Sequence, residues 1–231
     1  MLVAYRELAP PPELAELVRC VWIRTGTGLE TLVLPDGCLD VVVRAGLAVV
    51  AGPDTGPVAV PVASGEVVAG VRLRPGAAGA VLGVPADELR DRRVALEDLW
   101  GRAGREAGER AGADPFELLA ALRVRLDGAA PDRRVFEAAS RLARAPATPV
   151  PALAASLGLG ERHLRRRFAA GVGYGPKTFA RVARFWRALG LLRAGESPAA
   201  AAVEAGYADQ AHMTRELVAL GGRTPASVRA A

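Results

Sequence analysis

A pattern of small and apolar residues around a glycine occurs twice in the last third of the chain, at Gly158 and at Gly206. A glycine accepts the positive φ of a tight turn between two helices, and apolar residues at fixed offsets bury one face of the second helix. The other face of that helix is then free to enter a DNA major groove. The first copy fills its core offsets with Leu153, Ala154, Leu157, Leu159, Leu164 and Phe168. It predicts a helix-turn-helix unit.

The second copy has a turn one residue longer and a first helix made almost entirely of alanine. Its core offsets hold Ala201, Ala202, Ala205, Tyr207, Met213 and Leu217. Between the copies, Pro176 to Arg193 predicts one continuous helix, which at 1.5 Å per residue spans about 27 Å. The apolar stripe of that helix consists of Phe179, Val182, Ala183, Trp186, Leu189 and Leu192. Such a spacer can hold two recognition helices roughly one DNA turn, about 34 Å, apart.

Positive charge is concentrated in the same third of the chain. Residues 150–231 contain 12 basic and 5 acidic side chains, net +7, whereas residues 1–149 contain 18 basic and 20 acidic, net −2. The net charge of the whole chain, +5, says little about its partners. One lysine, one isoleucine and no asparagine indicate a GC-rich coding bias that raises the arginine content throughout. Coding bias does not explain the asymmetry, so we expect the basic third to meet phosphates.

The helical period assigns the faces of the first recognition helix. Leu164 and Phe168 define its buried side, and at 100° per residue Arg162 and Arg166 point nearly opposite, with Arg165 beside them. Arginine pairs bidentately with guanine in the major groove, so Arg162 and Arg166 are the candidate base readers.

On the second recognition helix Met213 and Leu217 face inward, and Asp209 is the expected N-cap. Arg215 is the candidate base reader. The residues expected close to base edges or phosphates beside it are Gln210, Ala211 and His212.

The first part of the chain predicts an α+β domain of short antiparallel strands and helices. Val-rich runs bounded by Gly, Pro and Asp predict strands at 20–25, 31–34, 38–43, 47–51, 58–62 and 67–73. A short helix is expected from Pro12 to Val18, and helices follow residue 75, although three glycines weaken that prediction over 102–112. We place a regulatory α+β domain at residues 1–128, a helical linker at 129–149, and at 150–231 an all-α domain with two helix-turn-helix units joined by a long helix.

One cluster in the first domain has two interpretations. Asp36, Cys38 and Asp40 either line an effector site or belong to a turn followed by an alternating strand, and the second interpretation is the commoner arrangement. A buried Asp40 needs a cationic partner, for which Arg72 and Arg74 are the candidates. Trp22 and Trp100 are expected either to line a pocket or to fill the core.

Several classes of protein are disfavoured. Cys20 and Cys38 fit a reducing compartment and exclude a disulfide framework, and His163 and His212 lie far from both in sequence, so no zinc-type spacing is present. Charged residues and prolines interrupt the N-terminus where a signal peptide needs an apolar run, and no run approaches the length of a membrane span. We expect a cytoplasmic protein with no membrane contact, metal, cofactor or enzymatic activity.

The region from residue 150 onwards resembles the DNA-binding domain of AraC/XylS-type transcription regulators. The resemblance rests on LAASLGLGERHLRRRF at 153–168, GYGPKTF at 173–179, AGYADQAHMTR at 205–215 and GRTPASVR at 222–229. It implies a double helix-turn-helix that binds duplex DNA, with base contacts at Arg162, Arg165 and Arg166. The chain has Leu217 where the family usually has an aromatic residue, so looser packing is expected in the second unit.

The N-terminal part resembles the sensor-like domain that precedes the DNA-binding domain in one branch of that family. The matching stretches are PDGCLD at 35–40, GVRLRPG at 70–76, LGVP at 82–85 and LEDLWG at 96–101. The resemblance implies a transcriptional regulator, monomeric or homodimeric, with a small-molecule effector and RNA polymerase as candidate partners. Two alternatives stay open: a DNA-binding fold used for protein contacts, and a regulator with a reactive cysteine in its N-terminal domain.

Overall fold

The computed structural model describes residues 5–229. Eight strands lie in the N-terminal half of these residues, and every pairing between them is antiparallel. Six strands form one sheet in the order β1-β2-β7-β4-β5-β8, and the other two form the pair β3-β6. The strands are β1 Arg6–Leu8, β2 Val18–Thr25, β3 Glu30–Val33, β4 Leu39–Arg44, β5 Leu47–Ala51, β6 Val58–Pro61, β7 Val67–Leu73 and β8 Arg93–Ala95.

Alternation along the strands of the large sheet separates an apolar face from a polar one. On β4, Leu39, Val41 and Val43 are buried in the core, while Asp40 lies on the other face and pairs in register with Arg72 of β7. Helices cover the apolar face: α1 Ala78–Leu82, α2 Leu96–Trp100, α3 Arg102–Ala111 and α4 Pro115–Asp127. The predicted α+β class of this domain is therefore confirmed.

The glycines at 104 and 108 do not prevent the helix α3. A Cβ on Gly104 would lie 2.3 Å from the Leu96 carbonyl oxygen, and one on Gly108 would lie 2.6 Å from the Gly46 carbonyl oxygen. Because only glycine permits these approaches, close packing offsets the loss of helix propensity. The third glycine, Gly112, ends the helix with a positive φ.

Seven helices make up the rest of the described chain: α5 Arg133–Arg144, α6 Val150–Ser156, α7 Glu161–Val172, α8 Pro176–Arg193, α9 Pro198–Ala205, α10 Gln210–Gly221 and α11 Pro225–Arg229. They enclose two apolar cores. The first joins α5, α6, α7 and the start of α8, and the second joins the end of α8 with α9, α10 and α11. The predicted all-α class is confirmed, and α8 spans both cores. Within the predicted linker, α5 contributes buried side chains to the first core, and the domain boundary itself stays a prediction.

One local prediction is wrong, and two short strands were missed. The helix expected from Pro12 to Val18 is a single 3-10 turn, Pro12–Leu14, because Val18 starts β2 and pairs with Leu73. Strands β1 and β8 were not predicted: each has three residues, too few to show an alternation, and each lies at an edge of the large sheet. Among the described residues no helix combines the length and apolar character needed to cross a membrane.

Candidate nucleic-acid interface

The first helix-turn-helix unit consists of α6 and α7. Gly158 in the turn has φ +65°, a conformation that favours glycine. The predicted core residues are all buried around it: Leu153, Ala154, Leu157, Leu159, Leu164 and Phe168. The Phe168 ring packs edge-to-face on Phe179 of α8, with 5.6 Å between ring centroids. The apolar pattern therefore fixes α7 against α8 by one side only.

The opposite side of α7 presents a basic surface. Arg162, His163, Arg165 and Arg166 are exposed. Arg165 donates to Glu161 one turn earlier, whereas Arg162 and Arg166 have no ion-pair partner among the residues that the structure describes. Two unpaired guanidinium groups one helical turn apart suit contacts to DNA.

Arg167 has a different environment from its three neighbours. Its Nε donates to Asp132, which also caps α5 by accepting the Arg134 backbone N–H at 3.0 Å. Although burial acts in the opposite direction, the hydrogen bond from Arg167 holds the pKa of Asp132 below its usual value. Arg167 thus joins α7 to the N-terminus of α5.

The second unit consists of α9 and α10. Gly206 ends α9 with φ +86°, and the predicted core residues are buried around it: Ala201, Ala202, Ala205, Tyr207, Met213 and Leu217. Ser197 caps α9 by accepting the Ala200 N–H at 3.2 Å. Asp209 caps α10, as predicted, by accepting the His212 N–H at 2.6 Å.

The outward side of α10 carries the predicted contact residues. Gln210, Ala211 and Arg215 are exposed, and Arg215 has no ion-pair partner within residues 5–229. His212 is half-buried, and its ring packs edge-to-face on Tyr207 with 5.2 Å between centroids. This packing makes His212 a support for the turn as well as a neighbour of the contact surface.

Two domain families match this chain. A family described as a helix-turn-helix domain matches residues 153–231, and one described as a domain of unknown function (DUF6597) matches residues 6–95. The C-terminal region is an AraC/XylS-type helix-turn-helix domain. These matches support DNA binding and transcription regulation by the C-terminal region, which follows an N-terminal DUF6597 domain.

Solved structures give a more distant match. The chain aligns with two crystal structures of ToxT from Vibrio cholerae, an apo form of a point variant and the wild type bound to an unsaturated fatty acid. Both are 11% identical, with TM-scores of 0.44 and 0.42, over 98% of this chain and 95% and 93% of the ToxT chains. No curated protein matches the chain.

The helix α8 that joins the two AraC-type units differs in its buried stripe from the prediction. Phe185 and Ala188 are fully buried, whereas Trp186 is 38% exposed. The indole N–H of Trp186 donates to the Pro35 carbonyl at 2.7 Å, in the loop between β3 and β4. A single stripe was the wrong expectation because α8 packs against two cores and against the N-terminal domain.

Sequence reasoning also missed the polar partners of α10. Glu216 is largely buried and lies next to Arg181 and Arg184 of α8. The sequence feature that could have indicated this pairing is an acidic residue beside Leu217, on the inward side of a helix whose other residues are uncharged or basic.

The structure brings together the N-terminal residues Asp36, Cys38, Asp40 and Arg72. The Arg72 guanidinium lies 3.1 Å from Asp40 and 3.5 Å from Asp36, and the Trp22 indole donates to Asp40 at 2.8 Å. Arg74 instead donates to the Ala15 carbonyl, so Arg72 is the partner of Asp40. Glu7 completes the cluster at 3.2 Å from Arg72 and was not predicted.

The polar groups of this cluster satisfy one another. Burial opposes the charge on Arg72, but Asp40 and Asp36 raise its pKa above the usual value. Asp36 accepts the Cys38 backbone N–H at 2.9 Å, which is the turn expected if these residues belong to a turn followed by an alternating strand. Burial raises the pKa of the Cys38 thiol well above normal and that of Cys20 to about 11. These features favour a structural role, and effector binding by these residues stays a prediction.

The N-terminal domain contacts the C-terminal ends of both recognition helices. A Cβ on Gly173, which ends α7, would lie 2.1 Å from Pro53 Cγ. One on Gly79 of α1 would lie 2.8 Å from the Ala170 carbonyl oxygen near the end of α7. One on Gly222, which ends α10, would lie 3.9 Å from Leu32 Cδ2. The basic surfaces on α7 and α10 begin at the opposite ends of the same helices.

The loop between β3 and β4 sits on α8 between these two contacts. A Cβ on Gly37 would lie 2.6 Å from the Phe179 ring and 3.4 Å from the Tyr174 hydroxyl, and Gly37 has φ +81°. Beside the loop is a cavity of about 220 Å³, lined by Leu32 and Leu34 from the N-terminal domain and by Phe185, Leu189, Arg193 and Arg223 from the AraC-type domain. One loop therefore contacts the helix that both units share.

Proposed function

We propose that this regulator recognises a specific duplex sequence of two half-elements, with α7 in one major groove and α10 in the next. The observation that carries this proposal is the pair of packed helix-turn-helix units, each with unpaired arginine on the side of its second helix away from the core. Their separation is set by α8, an 18-residue helix whose length approaches one DNA turn. A monomer with two such units can bind an asymmetric site.

Individual contacts follow from exposure and pairing. We assign base reading to Arg162 and Arg166 in the first half-element and to Arg215 in the second. Arg165 can contact a base only if its ion pair with Glu161 breaks, and a contact with a DNA phosphate is equally compatible with its position. Gln210, Ala211 and His212 lie at the start of α10, where helix N-termini favour phosphate oxygens.

We further propose that the N-terminal domain modulates DNA binding by setting the relative orientation of the two recognition helices. Support comes from its contacts with the ends of α7 and α10 and with α8 between them. A small molecule that shifts the N-terminal domain would therefore change both units together. Contact with RNA polymerase and the choice between monomer and homodimer stay predictions.

Selection of the full-length protein on a random duplex library tests the DNA-binding proposal. We expect a reproducible motif of two half-elements about one turn apart, with affinity that falls steeply as salt rises. Binding of all sequences with equal affinity would contradict specific recognition. Recovery of no duplex at all would favour the alternative in which the fold serves protein contacts.

The contact with the loop between β3 and β4 provides the test of modulation. Trp186→Phe keeps the ring but removes the hydrogen bond to Pro35, and Leu32→Arg places a charge at the interface. We expect each to change affinity for the two-element duplex by several-fold while affinity for the first half-element alone is unchanged. Leu47→Arg, at a residue 70% exposed on β5, is the control. Equal effects of all three variants would contradict the proposal.

The reactive-cysteine alternative is disfavoured by the surroundings of both thiols. Cys20 and Cys38 are buried, and burial raises both pKa values, which lowers the thiolate fraction at neutral pH. Alkylation followed by mass spectrometry should modify neither residue in the folded protein and both after unfolding. Rapid modification of folded Cys38 would restore this alternative.

A further inference from the structure

The second recognition helix carries a single acidic residue, and that residue faces inward. Within α10 this is Glu216, whose side chain is 13% exposed. It directly follows Arg215, the candidate base reader, and directly precedes Leu217, the last core residue of the helix-turn-helix pattern. A carboxylate that is buried beside a DNA-contacting surface needs counter-charges from the protein, because it cannot be paired by DNA phosphates.

Those counter-charges come from the shared helix α8. Arg181 Nε donates to Glu216 Oε1 at 2.7 Å, and Arg184 Nη2 lies 3.9 Å from Oε2. Arg181 and Arg184 are one turn apart and so lie on the same side of α8. From the helix of Glu216 itself, His212 Nε2 approaches Oε1 to 3.9 Å. Two cations on a neighbouring helix thus hold one carboxylate.

Around this contact, further polar groups are buried. The Arg184 guanidinium lies over the Tyr207 ring, with 5.5 Å to its centroid. Arg184 Nε, the Tyr207 hydroxyl and Glu216 Oε2 are buried in this cluster, where burial and the neighbouring Glu216 raise the pKa of Tyr207. Burying such atoms is unfavourable, so this cluster is a weak means of adding stability and a strong means of selecting one arrangement.

In the second unit, the apolar contacts on the α9 side constrain α10 less than the large side chains of α8 do. The α9 side of its core is formed by Ala201, Ala202 and Ala205, and methyl groups interlock less than long side chains do. Charge-assisted hydrogen bonds are directional, so the pairing of Glu216 fixes both the rotation of α10 and its position along α8. Because α8 also packs in the first core, α10 is positioned against the same helix as α7.

The corresponding position of the first unit makes the same kind of contact with opposite charge. Arg167 directly precedes Phe168, the last core residue of the first helix-turn-helix pattern, as Glu216 precedes Leu217 in the second. Arg167 pairs with Asp132 of the neighbouring α5 cap, and Glu216 pairs with Arg181 and Arg184 of the neighbouring α8. In each unit this residue joins the recognition helix to an adjacent helix.

We propose that Glu216 is the positioning residue of the second recognition helix, holding Arg215 in register with the first unit through Arg181 and Arg184. The inference rests on the proposed two-element recognition. Glu216 contacts no base in this assignment. Its effect is specific to the second half-element, whereas a purely structural residue would lower affinity for all duplexes alike.

Glu216→Gln in the full-length protein is the test, because it keeps the shape and removes the charge. The probe is the two-element duplex recovered with the wild type, together with duplexes scrambled in either half-element. We expect affinity for the intact duplex to fall about tenfold and discrimination at the second half-element to disappear, while discrimination at the first is retained. Glu204→Gln, an exposed acid on α9 that lies 3.9 Å from Arg187, changes the net charge equally and is the matched control.

Arg181→Gln removes the same pair from the α8 side and covers the case in which Glu216→Gln does not fold. It should reproduce the selective loss, and the double variant should be no worse than either single variant. Equal loss at both half-elements, or no difference from Glu204→Gln, would overturn the positioning role. If the wild type recovers no motif, the proposed function fails instead, so the two failures are distinct.

Discussion

The two helix-turn-helix units share one pattern but are held together by different means. In the first, large apolar side chains from α6 and α7 pack with Phe179 and with α5. In the second, an alanine-rich helix leaves less apolar surface, and the unit adds α11, two side-chain N-caps, the Glu216 cluster and a contact with β3. Both units contact the N-terminal domain at the ends of their recognition helices, and the second adds helix caps and a buried polar cluster where its apolar core is smaller.

This difference indicates which unit is open to control. Hydrophobic packing is non-directional and local to the first core. The second core includes Leu34 from the N-terminal domain at its edge, so its packing depends on the placement of that domain. The comparison predicts that a local perturbation at Leu32 or Leu34, next to the second core, affects the second half-element more than the first.

The largest expected effect is on folding stability. Phe168→Ala should lower the free energy of unfolding by about 3–5 kcal/mol, because it removes a fully buried ring and leaves a cavity. Leu217→Ala should cost about 2–3 kcal/mol, since a leucine side chain has less volume to lose than a phenylalanine ring. Urea denaturation of both variants measures the difference. A larger cost for Leu217→Ala would reverse the comparison between the units.

DNA contacts give the next effect. Arg166→Ala and Arg215→Ala should each weaken binding of the two-element duplex by about 1–3 kcal/mol and relax preference at one base position, in the first and second half-element respectively. Arg102→Ala, on the exposed side of α3, removes the same charge and should change little. A uniform loss across all sequences would assign these arginines to phosphates.

Helix caps test the polar contribution to the second unit. Asp209→Ala should destabilise the protein by about 1 kcal/mol, because the first N–H groups of α10 lose their acceptor. The corresponding Gly160 of α7 makes no side-chain cap, and a Cβ there meets open space, so Gly160→Ser should stabilise by a few tenths of a kcal/mol. Thermal unfolding measures both. Stabilisation by Asp209→Ala, or destabilisation by Gly160→Ser, would show that capping does not distinguish the units.

A small effect that depends on pH is expected for the Asp132–Arg167 pair of the first unit. The folded-state pKa of Asp132 is lowered, so its contribution is present above the unfolded value of 3.8 and is lost as pH falls through the folded value. Asp132→Asn should cost about 0.5–1 kcal/mol at pH 7 and progressively less below pH 4. Denaturation of wild type and variant across this range measures it. The absence of a cost at any pH would indicate a cap alone, because asparagine caps a helix about as well as aspartate.

Local patterns predicted much of the DNA-binding domain. Glycine at 158 and 206 and the apolar offsets around them gave the correct buried residues in both units, and the bounds of α8 agree with the prediction. Short-range signals suffice here because a turn and a helical period involve only neighbouring residues. The side chains of Trp186 and Glu216 were not predictable in this way, since their partners Pro35 and Arg181 are distant in sequence.

The sequence by itself determined two helix-turn-helix units, their basic outward faces and the α+β class of the first domain, because periodicity, turn chemistry and charge are local. Only the tertiary structure decided which charges pair, why α3 tolerates Gly104 and Gly108, and how the N-terminal domain contacts the ends of α7 and α10. Those features depend on the distance between residues far apart in the chain. That distance is set by packing, which no local pattern encodes.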